Sequence, residues 1–171
     1  MAEVIRRLSK EDLKIGVYGV ASSQEEVGCR GAVTSAYKVN PQVGFAIDVG
    51  FATDLPDIPK KQYGDITLGK GIILSKSCDN NIVLGEILRK TAKDNAIAIQ
   101  ESTAHRATGG TDTAAIQMTR AGVATALISI PNRYMHSQVE MCDLRDAEAA
   151  VELLLNQLRT PGAVTVKAIP P

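Results

Sequence analysis

Apolar and polar positions along the chain switch repeatedly between a helical period and a strand period. Val4, Ile5 and Leu8 share one face of a helix over residues 1–8. Residues 14–21 read as a strand, residues 31–39 as a helix halted before Pro41, and residues 43–49 as a second strand. Residues 50–71 hold Pro56 and Pro59 and little pattern, so they read as a long loop, a kind of segment that often carries function. Asn80 or Asn81 can cap a helix running to about residue 93, with Ile82, Leu84, Ile87 and Leu88 apolar. Residues 96–100 read as a short buried strand. Thr111 or Asp112 can cap a helix over 113–121 that Gly122 stops, and residues 123–130 form a further buried strand closed by Pro131. Asp143 can cap a last helix through residue 158, with Ala147, Val151, Leu154, Leu155 and Leu158 on its apolar face. The tail beyond Thr160, with Pro161, Pro170 and Pro171, is expected to fray.

Strands alternating with helices imply an α/β sheet covered on both faces, and in such sheets sites form at the carboxyl ends of strands. Composition narrows the function classes. A chain of 171 residues fits one domain, and 19 basic against 19 acidic residues leave no net charge. There is no basic stripe interleaved with aromatics, so no nucleic-acid partner is expected. The apolar runs are too short to span a bilayer, and the charged, amphipathic N-terminus is not a secretory signal. Cys29, Cys78 and Cys142 are odd in number and widely spaced, which favours a reducing cytoplasm, argues against a cysteine zinc site and leaves each to read as a free buried thiol.

The chemistry concentrates in three places: Glu25-Glu26 at the junction of an apolar run and a glycine-rich segment, Asp48 at the end of the second strand, and His136 after the strand closed by Pro131. Adjacent side chains leaving a strand diverge, so one carboxylate of the pair can ligate a metal while the other handles a proton. A dinuclear hydrolase needs carboxylates and imidazoles on two cations and a nearby general base. Singly each residue has a plainer explanation: a solvated acidic pair, a turn aspartate, an ordinary histidine. Gly69-Lys70-Gly71 lacks the spacing of a phosphate loop. Arg106 and Arg133 could meet a substrate carboxylate, and surface ion pairs explain them equally well.

The run Gln24-Glu25-Glu26-Val27-Gly28-Cys29-Arg30-Gly31-Ala32 closely resembles the Glu-Glu-Val-Gly-x-x-Gly-Ala motif of metallopeptidase family M42, the glutamyl and tetrahedral-type aminopeptidases, some of them also labelled endoglucanase. Ala46-Ile47-Asp48-Val49, Leu68 to Gly71, Gly110-Thr111-Asp112 and the segment from Ile128 to Glu140 resemble the family's later landmarks, in the same order. The resemblance implies a zinc-peptidase-like three-layer α/β/α fold with a mostly parallel mixed sheet. It implies Glu25 as general base, Glu26 and His136 as ligands of one cation, Asp48 as a ligand of the other, and zinc or cobalt as the metals. Gly110, Thr111 and Asp112 become possible substrate contacts, although Asp112 serves equally well as a helix cap.

The resemblance also implies a further histidine and a bridging aspartate that this sequence does not supply. Residues 1–158 therefore correspond to the C-terminal part of a catalytic domain, truncated at its N-terminus, with 159–171 as a tail. His105 is a weak substitute ligand, better read as a loop histidine. The expectations are an aminopeptidase acting on peptide N-termini, impaired as this isolated chain, with a non-catalytic module of the same fold as the alternative. Uncovered apolar surface should favour self-association. A glycosidase would be expected to offer aromatic platforms, and with no Trp and 4% aromatic residues the endoglucanase label carries little weight.

Overall fold

The computed structural model describes residues 1–103 and 111–160. Helix α1 (Ala2–Leu8) is followed by α2 (Arg30–Val39), strand β1 (Val43–Phe51), the single turn α3 (Lys60–Tyr63), β2 (Ile72–Lys76), α4 (Ile82–Asp94), β3 (Ile99–Thr103), α5 (Asp112–Gln117), β4 (Ala124–Arg133), the short β5 (Met141–Cys142) and α6 (Leu144–Arg159). The strand order is β1–β4–β2–β3, with β5 added on β4. β1 runs parallel to β4 and β2 parallel to β3, whereas β2 and β5 each meet β4 antiparallel. The sheet is thus mixed, as expected.

Its two faces are covered by different helices. Ala126 and Ile128 of β4 and Ile72 and Leu74 of β2 pack with Val4 and Leu8 of α1, Leu84 and Leu88 of α4, and Leu153 to Leu155 of α6. Each leucine or isoleucine buried there contributes about 1.5–3 kcal/mol. On the opposite face α5 covers β1 and β4 and packs against α2. Gly44 of β1 lies so close beneath α5 that a Cβ would meet Ile116 at 2.7 Å. Alternation along β1 sends Phe45 and Ile47 to the first face and Asp48 to the second.

Several boundaries differ from the sequence expectation, each for a local reason. Residues 14–21 form no strand: the segment bends at Lys14 and Ile15 and finds no ladder partner among the described residues, and Ile15, Tyr18 and Val20 are exposed. Residues 72–76, which follow the expected loop and show no clear period, become β2 because β3 and β4 flank them. The strand expected at 96–100 starts later. Ala96 takes a left-handed φ of 53°, and Ile97 N–H donates to Ala92 O at 2.8 Å, so both residues close α4 instead. Similarly, the turn from Met118 to Gly122 shortens α5. β4 continues through Pro131 into Arg133. Its next residue, Asn132, bonds β1 through Ala52 N–H, so Pro131 faces β2, whose pairing with β4 has already ended at Ser129 and asks for no donor there. Of the cysteines, only Cys29 is buried; Cys78 and Cys142 are exposed, contrary to the expectation for all three. The tail beyond Thr160 lies outside the described residues.

The long connection between β1 and β2 is well tied. Thr53 is buried and its hydroxyl both donates to Gly64 O and accepts from Ile66 N–H. The buried Asp146 of α6 accepts from Gly69 N–H at 2.7 Å and Gly71 N–H at 2.8 Å. The glycine-rich stretch around Lys70 is therefore wrapped around a carboxylate of the protein itself. Arg133 forms a forked pair with Asp54 at 2.8 and 2.5 Å, which commits it to the fold rather than to a ligand.

Candidate active site

Glu25 and Glu26 sit on a turn that precedes α2, not on a strand end. Gly28 and Cys29 both donate their N–H to Glu25 O, at 3.0 and 2.9 Å. Gln24 and Cys29 adopt left-handed φ values of 59° and 51°, and Gly28 takes 111°. The turn is closed by Gly31, whose N–H donates to Ser23 O at 2.8 Å. Backbone packs on backbone here: a Cβ on Gly31 would lie 2.3 Å from Ser23 N.

The two carboxylates still diverge, although by the turn and not by the strand alternation that was expected. Glu26 points outward and its Oε1 lies 3.3 Å from Nε2 of His136. Glu25 turns inward: its Oε1 is 3.8 Å from the Cys29 thiol, and ligand atoms of Glu25, Cys29 and Asp112 all lie within 4.8 Å of one another. Asp112 is the first residue of α5. The cap itself is Thr111, whose hydroxyl accepts from Thr113 N–H, so the Asp112 carboxylate is left for this cluster. Ser22 donates its hydroxyl to Asp112 Oδ2, while Oδ1 is buried without a hydrogen-bond partner.

Burial pushes the Glu25 carboxyl up from its ordinary value, and the negative charges of Asp48, Glu26 and Asp112 push it further. Burial, followed by the charges of Glu25 and Asp112, likewise raises the Cys29 thiol. Asp48, half-buried on β1, accepts from Val49 N–H at 2.7 Å. Glu26, Asp48 and His136 do not form one compact group of ligand atoms among the described residues; Glu26 touches His136, and Asp48 is felt by Glu25. Two side chains the sequence reading passed over now stand beside the site: Cys29, four residues after Glu25 and folded back by the turn, and Ser22. His105 and Gly110 lie outside the described residues.

His136 follows the end of β4 in a left-handed conformation, φ 63°. Its backbone N–H donates to Glu140 Oε1 at 2.6 Å, and the other oxygen of Glu140 accepts from Nδ2 of Asn132 at 3.0 Å. Those hydrogen bonds hold the Glu140 carboxyl below the usual range.

The donor set fits a divalent cation. Four carboxylates gather on one rim, burial and then their charges raise Glu25, and a buried Asp112 oxygen has no hydrogen-bond partner. An imidazole and a carboxylate face each other at 3.3 Å beside them. Carboxylate oxygens and imidazole nitrogen are the ligand types of hydrolytic zinc and related metals.

Comparison with known proteins gives the same direction. The M42 glutamyl aminopeptidase family matches residues 1–153. A lysyl aminopeptidase of Pyrococcus furiosus is 41% identical over 164 residues, covering 93% of this chain and 45% of that protein. The crystal structure of a TET aminopeptidase from a marine-sediment thaumarchaeon superposes with a TM-score of 0.86 at 36% identity, over 95% of this chain and 46% of the other. The Pyrococcus horikoshii TET1 peptidase, which can assemble into a tetrahedron or a large octahedral shell, superposes with a TM-score of 0.65 at 31% identity, over 80% of this chain and 39% of the other. The chain thus spans about half the length of the relatives it matches.

Proposed function

The chain belongs to the M42 glutamyl aminopeptidase family, and we propose that it carries the general base and part of the metal-binding shell of an aminopeptidase-type metallohydrolase that removes residues from peptide N-termini. Residues 1–158 are read as part of a catalytic domain. The observation that carries the proposal is the contact of Glu26 with His136 at 3.3 Å, beside a half-buried Glu25 ringed by carboxylates.

Glu26 and His136 would hold one divalent cation and Asp48 would contribute to a second. Such cations supply Lewis-acid polarisation of a peptide carbonyl and make a water easier to deprotonate. Glu25 is suited to the proton transfers. Its carboxylate is half-buried and electrostatically pushed toward the protonated form, so it can take a proton from water and return it to the departing amine. Thr111 and Asp112, at the start of α5 on the same side of the sheet, are the proposed substrate contacts, together with Gly110.

This chain supplies three of the five ligands the resemblance implies, so we expect weak cation binding and little turnover from it alone. Calorimetric titration with zinc, paired with hydrolysis of amino-acid anilides in added zinc or cobalt, tests both statements. Binding that Glu26→Ala abolishes supports the metal reading; absence of binding overturns it. Robust turnover overturns the impairment. Binding without turnover favours the second reading, a non-catalytic module that keeps one cation. We also propose self-association, for which the exposed Ile15, Tyr18 and Val20 are the motivation; a monomer at high concentration by light scattering would count against it.

A further inference from the structure

The segment after β4 makes an abrupt reversal, and one carboxylate governs it. Tyr134 and His136 both take left-handed φ values, 57° and 63°, a region that residues with a Cβ adopt only when other contacts hold them there. Ser137 N–H closes the turn onto Tyr134 O at 3.0 Å. The stronger restraint is Glu140. Its Oε1 accepts the His136 backbone N–H at 2.6 Å, and its Oε2 accepts from Asn132 Nδ2 at 3.0 Å. Asn132 is 1% exposed and is itself fixed from the other side, because its Oδ1 accepts Met141 N–H where β5 pairs with β4. A rigid strand therefore holds an amide, the amide holds a carboxylate, and the carboxylate holds the peptide of His136.

We propose that Glu140, anchored by Asn132, is a positioning residue that sets the backbone of His136 and so aims its imidazole at Glu26. The inference rests on the reading of His136 as a metal ligand but concerns a geometry that exists without the metal. Asn132 Nδ2 and the His136 N–H donate to different oxygens of Glu140, so a group with two acceptor oxygens satisfies both where they stand. A glutamine offers one oxygen and one NH2, and must place a donor against either Asn132 or His136. The left-handed turn then loses one of the ties that Glu140 makes to it. Because Glu140 is exposed, that change should leave the fold intact.

The chain has two histidines, His105 and His136, so imidazole carbon–proton NMR spectra contain two pairs of signals, Cδ2–H and Cε1–H of each ring, which His136→Ala assigns. In the metal-free chain, Glu140→Gln is expected to shift or broaden the His136 signal while leaving that of His105 in place. Zinc titration of the same variant is expected to show affinity reduced about 10–100-fold, the range for removing a group that orients a ligand. Val139→Ala, at an exposed neighbour, should change neither readout. An unmoved His136 signal in Glu140→Gln overturns the proposal, as does unchanged zinc affinity where the unaltered chain binds zinc. If the unaltered chain binds no zinc and the His136 signal still moves, the clamp stands and the metal reading falls. Loss of thermal stability in Glu140→Gln comparable to Asn132→Ala would assign Glu140 to the fold at large and overturn a specific role at His136.

Discussion

Replacing Gly31 by alanine sets two well-defined effects against each other. Gly31 lies in the first turn of α2, where alanine is worth up to about 1 kcal/mol more than glycine by helix propensity alone. The tertiary structure opposes it. The new Cβ would sit 2.3 Å from Ser23 N and 2.7 Å from Ser23 O. Ordinary carbon contacts begin near 3.5 Å, so α2 and the 23–28 turn must part by roughly 1 Å. Both sides of the contact are backbone, so no side chain can swing away to absorb the change. Overpacking of this kind costs about 1–3 kcal/mol, and stretching the Gly31–Ser23 hydrogen bond adds about 1 kcal/mol. Subtracting the helix gain leaves a net loss of about 1–3 kcal/mol. For a domain of this size that lowers Tm by about 2–12 °C. Far-UV circular dichroism on heating measures it, since the chain has no Trp to follow. Glu25 and Glu26 ride on the displaced turn, so their alignment with Asp48 and His136 should suffer as well; a misplacement of about 1 Å can cost on the order of 100-fold in rate in a working site. A Gly31→Ala chain as stable as the original, or more so, would refute the close packing of Ser23 on α2.

Asp146→Ala should cost about 3–5 kcal/mol, because it leaves the Gly69 and Gly71 N–H groups buried without their charged acceptor; a urea midpoint lowered at unchanged slope checks this. The Arg133 guanidinium, with help from Leu68 N–H, holds the Asp54 carboxyl below the usual range. Its folded value is depressed, so the unfolded chain binds the proton more readily. The contribution is full above about pH 4 and is lost as pH falls through the folded value below that. Asp54→Asn should accordingly flatten this part of the acid dependence of stability, measured by denaturant melts between about pH 2 and 5. Thiol alkylation should proceed in the order Cys78, Cys142, Cys29: Cys78 is exposed, Cys142 is exposed but with its thiol raised by local desolvation, and Cys29 is buried with its thiol raised. Peptide mapping after brief iodoacetamide treatment reads the order, and early labelling of Cys29 would contradict the enclosed placement of that thiol beside Glu25.

The sequence by itself determined the features that depend on local chemistry and short-range period. Helices α2, α4 and α6 follow from apolar spacing and from caps such as Asn81 and Asp143, whose side chains accept the first-turn N–H groups observed. An α/β sheet follows from the alternation of strands with helices. The candidate residues Glu25, Glu26, Asp48, Asp112 and His136 were all legible as types and positions. What only the tertiary structure decided is whichever property requires a partner distant in sequence. Residues 14–21 have a strand pattern and no ladder, because pairing needs a neighbour that period cannot supply. Residues 72–76, to which no element was assigned from the sequence, become a strand because two neighbours are present. Asp112 could have been a cap or a site residue; Thr111 took the cap, and the meeting of α5 with the 22–29 turn set the Asp112 carboxylate beside Glu25 and Cys29. Arg133 was paired by Asp54, and His136 was turned by Glu140 through a hydrogen bond that no spacing rule anticipates. Covalent order fixes what a side chain can do, but its charge state and direction depend on the atoms that folding brings against it.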